Sequence, residues 1–329
     1  GKFKKIFNQV VMLLAEQGYF SLKEIYVDGT KIEANANRYT FVWGKSIKTS
    51  RSRIEKQLKE LWRYVETVYA EEEQRPNGPD NFEAIDPDQV SRTIDKINRA
   101  LQGKDIDKKV KQKLDYAKKN WPKNIAKYNR YEQRMGGRNS MSKTDPDATF
   151  MRMKEDHMLN GQLKPGYNLQ ASTNNQFIAN YTIAQTTADT TTLIDHTEDF
   201  IKGYGKPPRA LTADAGYGSE ENYTYLHEND IEAFVKYNYF HKEQLDEKRG
   251  KQKKPFAADN LFYNNETDTY YCPMGQPMEN IGSYVRKTAT GYRQKINRYQ
   301  AKNCAGCQLR SLCHRSKGNR IVERNHKLA

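Results

Sequence analysis

The sequence predicts an α/β fold: a mixed sheet core interrupted by a helical insertion and followed by a small cysteine-rich insertion. Three observations lead there. An apolar run that ends in an aspartate with glycine close behind occurs twice, at Ile25-Tyr26-Val27-Asp28-Gly29 and at Ala210-Leu211-Thr212-Ala213-Asp214-Ala215-Gly216. Strand, loop, helix and strand follow one another across 210–235, the order of an α/β layer. Between the two aspartates, apolar residues recur at threes and fours, the period of amphipathic helices.

Composition narrows the function classes. At 329 residues the chain is long enough for a sizeable core, and for two domains or one with insertions. Lys and Arg number 55 against 41 Asp and Glu, a formal charge of +14 that favours a polyanionic partner, double-stranded DNA above all. No apolar run approaches a transmembrane length, so no membrane role is expected and the location read from the sequence is cytoplasmic. Four cysteines are too few for a disulfide scaffold, and their bunching toward the C-terminus favours metal binding. The chain begins at Gly1 and stops within a basic, polar stretch, and both ends read as cut.

Residues 1–44 read as the end of a helical region and the first core strand. Phe3, Ile6, Val10, Leu13 and Leu14 have helical spacing, with Gly18 in the stop position. Ile25, Tyr26 and Val27 suit a strand buried on both faces, with Gly29 turning the chain after Asp28. Residues 38–44 are aromatic and β-prone. The helical insertion spans 45–135. Ile47, Ile54, Leu58, Leu61, Val65 and Val68 define a first long helix, broken by the proline- and glycine-bearing run 71–79. Asp86-Pro87 opens a second helix as N-cap and first position, carrying Val90, Ile94, Ile97 and Leu101. A third carries Val110, Leu114, Ala117 and Trp121. Together they read as a solvated helical hairpin or bundle whose basic outer faces can touch DNA.

The core resumes over 136–240. A polar, glycine-bearing linker covers 134–149, and two strands around the turn 173–176 form a hairpin beside the first strand. Residues 190–204 read as a helix, Ala210 to Asp214 as a strand, 219–227 as a helix and 231–235 as the next strand. The basic loop 248–254 and the cysteine-rich part complete the final section, 241–329.

Asp28-Gly29 alone reads as a turn. A second aspartate at the end of a second strand changes that reading, because adjacent strands bring the two together and facing carboxylates need cations. A divalent metal pair is the usual device for the attacking and leaving oxygens of phosphoryl transfer, so Asp28 and Asp214 are the candidate catalytic residues and ligands of Mg2+ or Mn2+. Cys304-x2-Cys307, with Cys313 and distant Cys272, supplies four thiolates for a structural Zn2+, and His314 is a stand-in for either. His157, His196, His227 and His241 read as ordinary histidines, and Asp145, Asp189 and Asp195 as caps or turns. Lys154, Lys164 and Tyr167 lie near the hairpin as weaker phosphate contacts.

The blocks YVDGTKIEAN, TDPDATFM, GYNLQAST and TADAGYGSEENY, in this order around a helical insertion, resemble the insertion-sequence transposases of the DDE class. The resemblance implies a ribonuclease H-like core and metal-dependent cleavage and strand transfer at transposon ends. Asp28 matches the first catalytic aspartate and Asp214 the second. It also implies binding of terminal inverted repeats and target DNA, a homodimer that pairs two ends, and a place at the bacterial nucleoid. Similar cysteine-bearing insertions occur in part of the family. The third residue of the family's set, a glutamate on a helix, has no matching block; Glu323 has the wrong surroundings, so the glutamate is expected beyond Ala329 and the chain is expected to be weak or inactive. Two rivals stand beside this reading: a catalytically inactive DNA-binding protein derived from a transposase, and a metal-dependent nuclease of the same fold.

Overall fold

The structure, a computed structural model, describes residues 1–69, 85–153, 161–250 and 255–328. The helix-breaking run 71–79, basic residues 251–254, Lys154 and His157 lie outside the described residues. In chain order the elements are α1 (Lys2–Glu16), β1 (Glu24–Glu33), β2 (Phe41–Trp43), α2 (Gly44–Val68), α3 (Pro87–Ala100), α4 (Lys108–Met135), β3 (Ser140–Ser142), β4 (Thr149–Arg152), β5 (Leu163–Asn174) and β6 (Phe177–Ala184). There follow α5 (Leu193–Tyr204), β7 (Ala210–Ala213), α6 (Glu220–Glu228), β8 (Glu232–Val235), α7 (Phe240–Lys248), β9 (Tyr263–Asn264), β10 (Thr269–Tyr271), β11 (Pro277–Lys287), β12 (Arg293–Ala301), α8 (Arg310–Cys313) and β13 (Ile321–Arg324). The chain divides into two units. One comprises Gly1–Gly29, Gln170–Thr182 and Ala188–Ala329, the other Thr30–Leu169 and Ile183–Thr187, so β1, β5 and β6 each continue from one unit into the other.

In the first unit the strands lie in the order β6-β5-β1-β7-β8. β1, β7 and β8 are parallel, with Val27 paired to Ala213 and Ala213 to Val235. The β5–β6 connection is a two-residue turn in which Asn175 (φ 46°) and Gln176 (φ 68°) are both left-handed, the geometry a tight hairpin favours. Ile25, Val27, Leu211, Ala213, Leu193, Phe200, Tyr217 and Leu226 form the core of this layer. β1 is buried on one face only: Ile25 and Val27 are covered, whereas Tyr26 is 52% exposed, so the expectation of a strand buried on both faces is corrected. On α1 the covered stripe is Phe7, Val11, Leu14 and Ala15, while Phe3, Ile6, Val10 and Leu13 stay exposed. This helix is apolar on two sides, and packing rather than spacing decides which side is covered. His196 is fully buried between the hydroxyls of Ser172 (2.6 Å) and Thr182 (2.7 Å), and burial, with Lys4 nearby, pushes it down to about 4. It is thus a neutral core histidine.

The same unit contains a second, five-stranded sheet in the order β13-β12-β11-β10-β9, all antiparallel, around Tyr270, Met278, Tyr299, Ala301 and Val322. Its long β11–β12 hairpin is not legible in the sequence, because β11 is exposed at nearly every position and has no period-2 pattern. Glu323 falls on β13, opposite Arg298, and not on a helix.

In the second unit α2, α3 and α4 pack through Leu58, Leu61, Val65, Val90, Ile94, Ile97, Leu114, Ala117, Trp121 and Ile125. Asp86 caps α3 by accepting the Gln89 N–H at 2.7 Å, with Pro87 at the first position. α4 runs on through Pro122 to a left-handed Gly136, well past the last apolar residue of the third predicted helix, Trp121. The stretch 134–149, expected as a linker, contains β3, which pairs with β2 from Phe41↔Ser142 to Trp43↔Ser140. β4 is antiparallel to the first part of β5.

Candidate active site

The apolar-Asp-Gly device works through strand register. The parallel β1–β7 pairing ends at Val27↔Ala213, so Asp28 and Asp214 are the next residues of two neighbouring strands; Asp214 follows the last residue of β7, whereas Asp28, expected at a strand end, lies within β1, which runs on to Glu33. Both are exposed, and neither bears the desolvation cost a buried carboxylate would. A backbone donor helps steer each: Gly29 N–H donates to Asp28 Oδ1 at 2.8 Å, and Gly216 N–H to Asp214 Oδ1 at 2.8 Å. Such hard oxygen donors suit Mg2+ or Mn2+ better than a soft metal.

Gly29 does not end β1, which continues to Glu33. Its lack of a side chain serves close approach. A Cβ there would lie 2.7 Å from Gln170 Nε2, 2.9 Å from Tyr217 Oη and 3.0 Å from Asp189 Oδ1. These three groups form a polar network beneath the aspartates. The Tyr217 hydroxyl donates to Gln170 Oε1, and Gln170 Nε2 donates to Asp189 Oδ1 at 3.3 Å. Gln170 and Tyr217 are almost fully buried, and burial together with Asp189, Asp28 and Asp214 raises the Tyr217 hydroxyl far above the usual phenol range. Tyr217 therefore stays a protonated donor.

Asp189 is the residue sequence reasoning missed. It begins a short 3-10 turn (Asp189–Thr191) that is fastened to the Asp214 loop: Thr190 Oγ1 donates to Gly216 O at 2.8 Å, and Asn222 Nδ2 donates to Thr190 O at 2.9 Å and to Tyr217 O. Its carboxylate thus reaches the glycines that follow Asp28 and Asp214 alike. The only sequence signal is a single aspartate between Ala188 and Thr190, identical to a helix cap. Gly29→Ala is expected to lower stability by about 1–3 kcal/mol, since something in the network must shift, and to weaken metal binding in parallel. Urea unfolding and a Mn2+ titration of the same variant measure the two effects.

The four cysteines line one cavity of about 20 Å³, together with His314, Arg310 and Arg320. Two glycine-bearing turns bring them there: Gly275 N–H donates to Cys272 O at 2.8 Å, with Gly275 left-handed (φ 76°), and Gly306 (φ 72°) lies between Cys304 and Cys307. The short α8 delivers Cys313. All four thiols are free, and the buried Arg320 guanidinium donates to Cys313 Sγ at 2.7 Å and to Phe256 O at 2.6 Å. Among the described residues, no three His, Cys, Asp or Glu side chains are drawn together as a metal-ligand set, either here or beside Asp28. Nor is any described helix long and apolar enough to cross a membrane.

No curated protein and no solved structure matches the chain. Residues 271–329, which include the four cysteines and neither aspartate, match the family model described as a transposase DDE domain, and this match supports a transposase of the DDE class.

Proposed function

We propose that the chain carries out metal-dependent cleavage and strand transfer of transposon-end DNA as a DDE-class transposase, with Asp28 and Asp214 as metal ligands. The observation that carries this reading is the register Val27↔Ala213, which makes Asp28 and Asp214 the next residues of two neighbouring parallel strands. The strand order β6-β5-β1-β7-β8, with a hairpin on one side and parallel strands on the other, supports a ribonuclease H-like core. The match of residues 271–329 supports the class. Transposases of this class generally use divalent ions such as Mg2+, and the two carboxylates fit such an ion by donor type. The bound metal would activate the attacking oxygen and stabilise the leaving one. The chain's own residues orient the site: the Gly29 and Gly216 N–H groups fix one oxygen of each carboxylate, and the Tyr217–Gln170–Asp189 network supports them from below.

The test is nicking of supercoiled plasmid in Mn2+. Metal-dependent nicking is expected, and Asp28→Asn and Asp214→Asn should each abolish it. Nicking that persists in both variants would sink the assignment.

The cysteine cavity is proposed as a structural Zn2+ site of Cys272, Cys304, Cys307 and Cys313. Arg320 supports this, since a buried guanidinium beside sulfur needs negative charge, and metal-bound thiolates supply it. Elemental analysis is expected to find one zinc per chain, with chelation unfolding the β9–β13 sheet; zinc-free protein with that sheet intact contradicts the proposal.

A further inference from the structure

Arg293, Lys295 and Asn297 occupy alternate positions of β12, so they share one face of the strand, about 6.6–6.8 Å apart from one to the next. Asn325, His326 and Lys327 follow β13 alongside them, and the six line one groove. Glu220 lies at its floor, buried, accepting from Asn325 Nδ2 at 2.5 Å and from Tyr292 Oη at 3.4 Å. Of the other acidic groups of this sheet, Glu323 accepts from Tyr284 Oη, Glu279 pairs with Lys302, and Asp268 accepts from Tyr263 and Tyr299 and lies 3.6 Å from His326 of the groove. Arg293, Lys295 and Lys327 are exposed, and none of them has an ion-pair partner among the described residues. A groove lined by three exposed cations against one buried carboxylate, Glu220, carries a net positive charge that attracts a polyanion. Its lining contains no Phe, Tyr or Trp, so it offers charge to a backbone and no platform on which unpaired bases stack.

We propose that this groove binds the phosphate backbone of double-stranded DNA, with Arg293, Lys295 and Lys327 each contacting a phosphate. The proposal rests on reading DNA as the partner, and it locates a contact surface apart from the two aspartates.

The experiment is fluorescence anisotropy of a labelled duplex of arbitrary sequence with the whole chain, over salt from about 50 to about 200 mM. Three proteins are compared: wild type, the triple variant Arg293→Gln/Lys295→Gln/Lys327→Gln, and a control, Lys2→Gln/Lys5→Gln/Lys206→Gln, which removes the same charge from exposed positions on α1 and just after α5. Three phosphate contacts contribute about 2.7 to the slope of log K against log salt, and at about 0.1 M salt roughly tenfold each in affinity. The groove variant should therefore bind on the order of 10²- to 10³-fold more weakly, with a slope shallower by about that amount and an unchanged thermal melt. The control should retain most of both. Equal slopes and affinities in the two variants overturn the groove while leaving DNA as the partner. Absence of salt-dependent duplex binding by wild type overturns the DNA reading as well.

Discussion

Trp121→Ala is expected to lower the stability of the helical unit by about 3–5 kcal/mol. Trp121 is 3% exposed and sits in α4 beside Leu114, Ala117 and Ile125, facing the apolar stripes of α2 and α3. Truncation removes most of an indole from water-free packing and leaves a cavity that three helices of regular spacing close only in part. Pro122 sharpens the effect. Within α4 it lacks the N–H of an ordinary turn, so the helix there depends on side-chain packing to stay continuous through Met135. Circular dichroism followed through urea unfolding measures the loss, and a decrease under about 1 kcal/mol would show that Trp121 does not anchor the bundle.

Asp28→Asn and Asp214→Asn are each expected to weaken divalent-metal binding by more than about tenfold, or about 1.4 kcal/mol. Both side chains are exposed and each accepts a backbone N–H that an amide oxygen can also accept, so either substitution leaves the fold in place while removing a charged oxygen donor. Without metal, each variant should melt at or slightly above the wild-type temperature, because one of two like charges is gone. Loss of binding with no loss of stability is the signature of a ligand; loss of both marks a residue that merely supports the strand end.

Much of this arrangement is legible in the residues themselves. The repeated apolar-Asp-Gly device points to two neighbouring strands, though only Asp214 follows a strand end while Asp28 lies within β1, and the Asp86-Pro87 cap and the apolar threes and fours of 90–121 point to packed helices, because those signals are local. What the sequence hides depends on contacts across the fold. Gly29 reads as a turn and is instead a gap for Gln170, Tyr217 and Asp189, three residues far from it in the chain. Asp189 reads as a cap and lies by the carboxylate pair because Thr190 and Asn222 fasten its turn to the Asp214 loop. Tyr26 reads as core and is exposed, since one face of β1 is covered and the other is not. The β11–β12 hairpin is invisible for a different reason. Its outward strand is polar and apolar without period, and it is held by pairing to β12 rather than by a buried face of its own.

The most direct measurement is a Mn2+ titration followed by electron paramagnetic resonance of the free ion, run on wild type, Asp28→Asn and Asp214→Asn. Saturable binding by wild type, weakened more than about tenfold in each variant and displaced by Mg2+, is the predicted result. Wild-type Mn2+ affinity in both variants would contradict the assignment of Asp28 and Asp214 as a shared metal site.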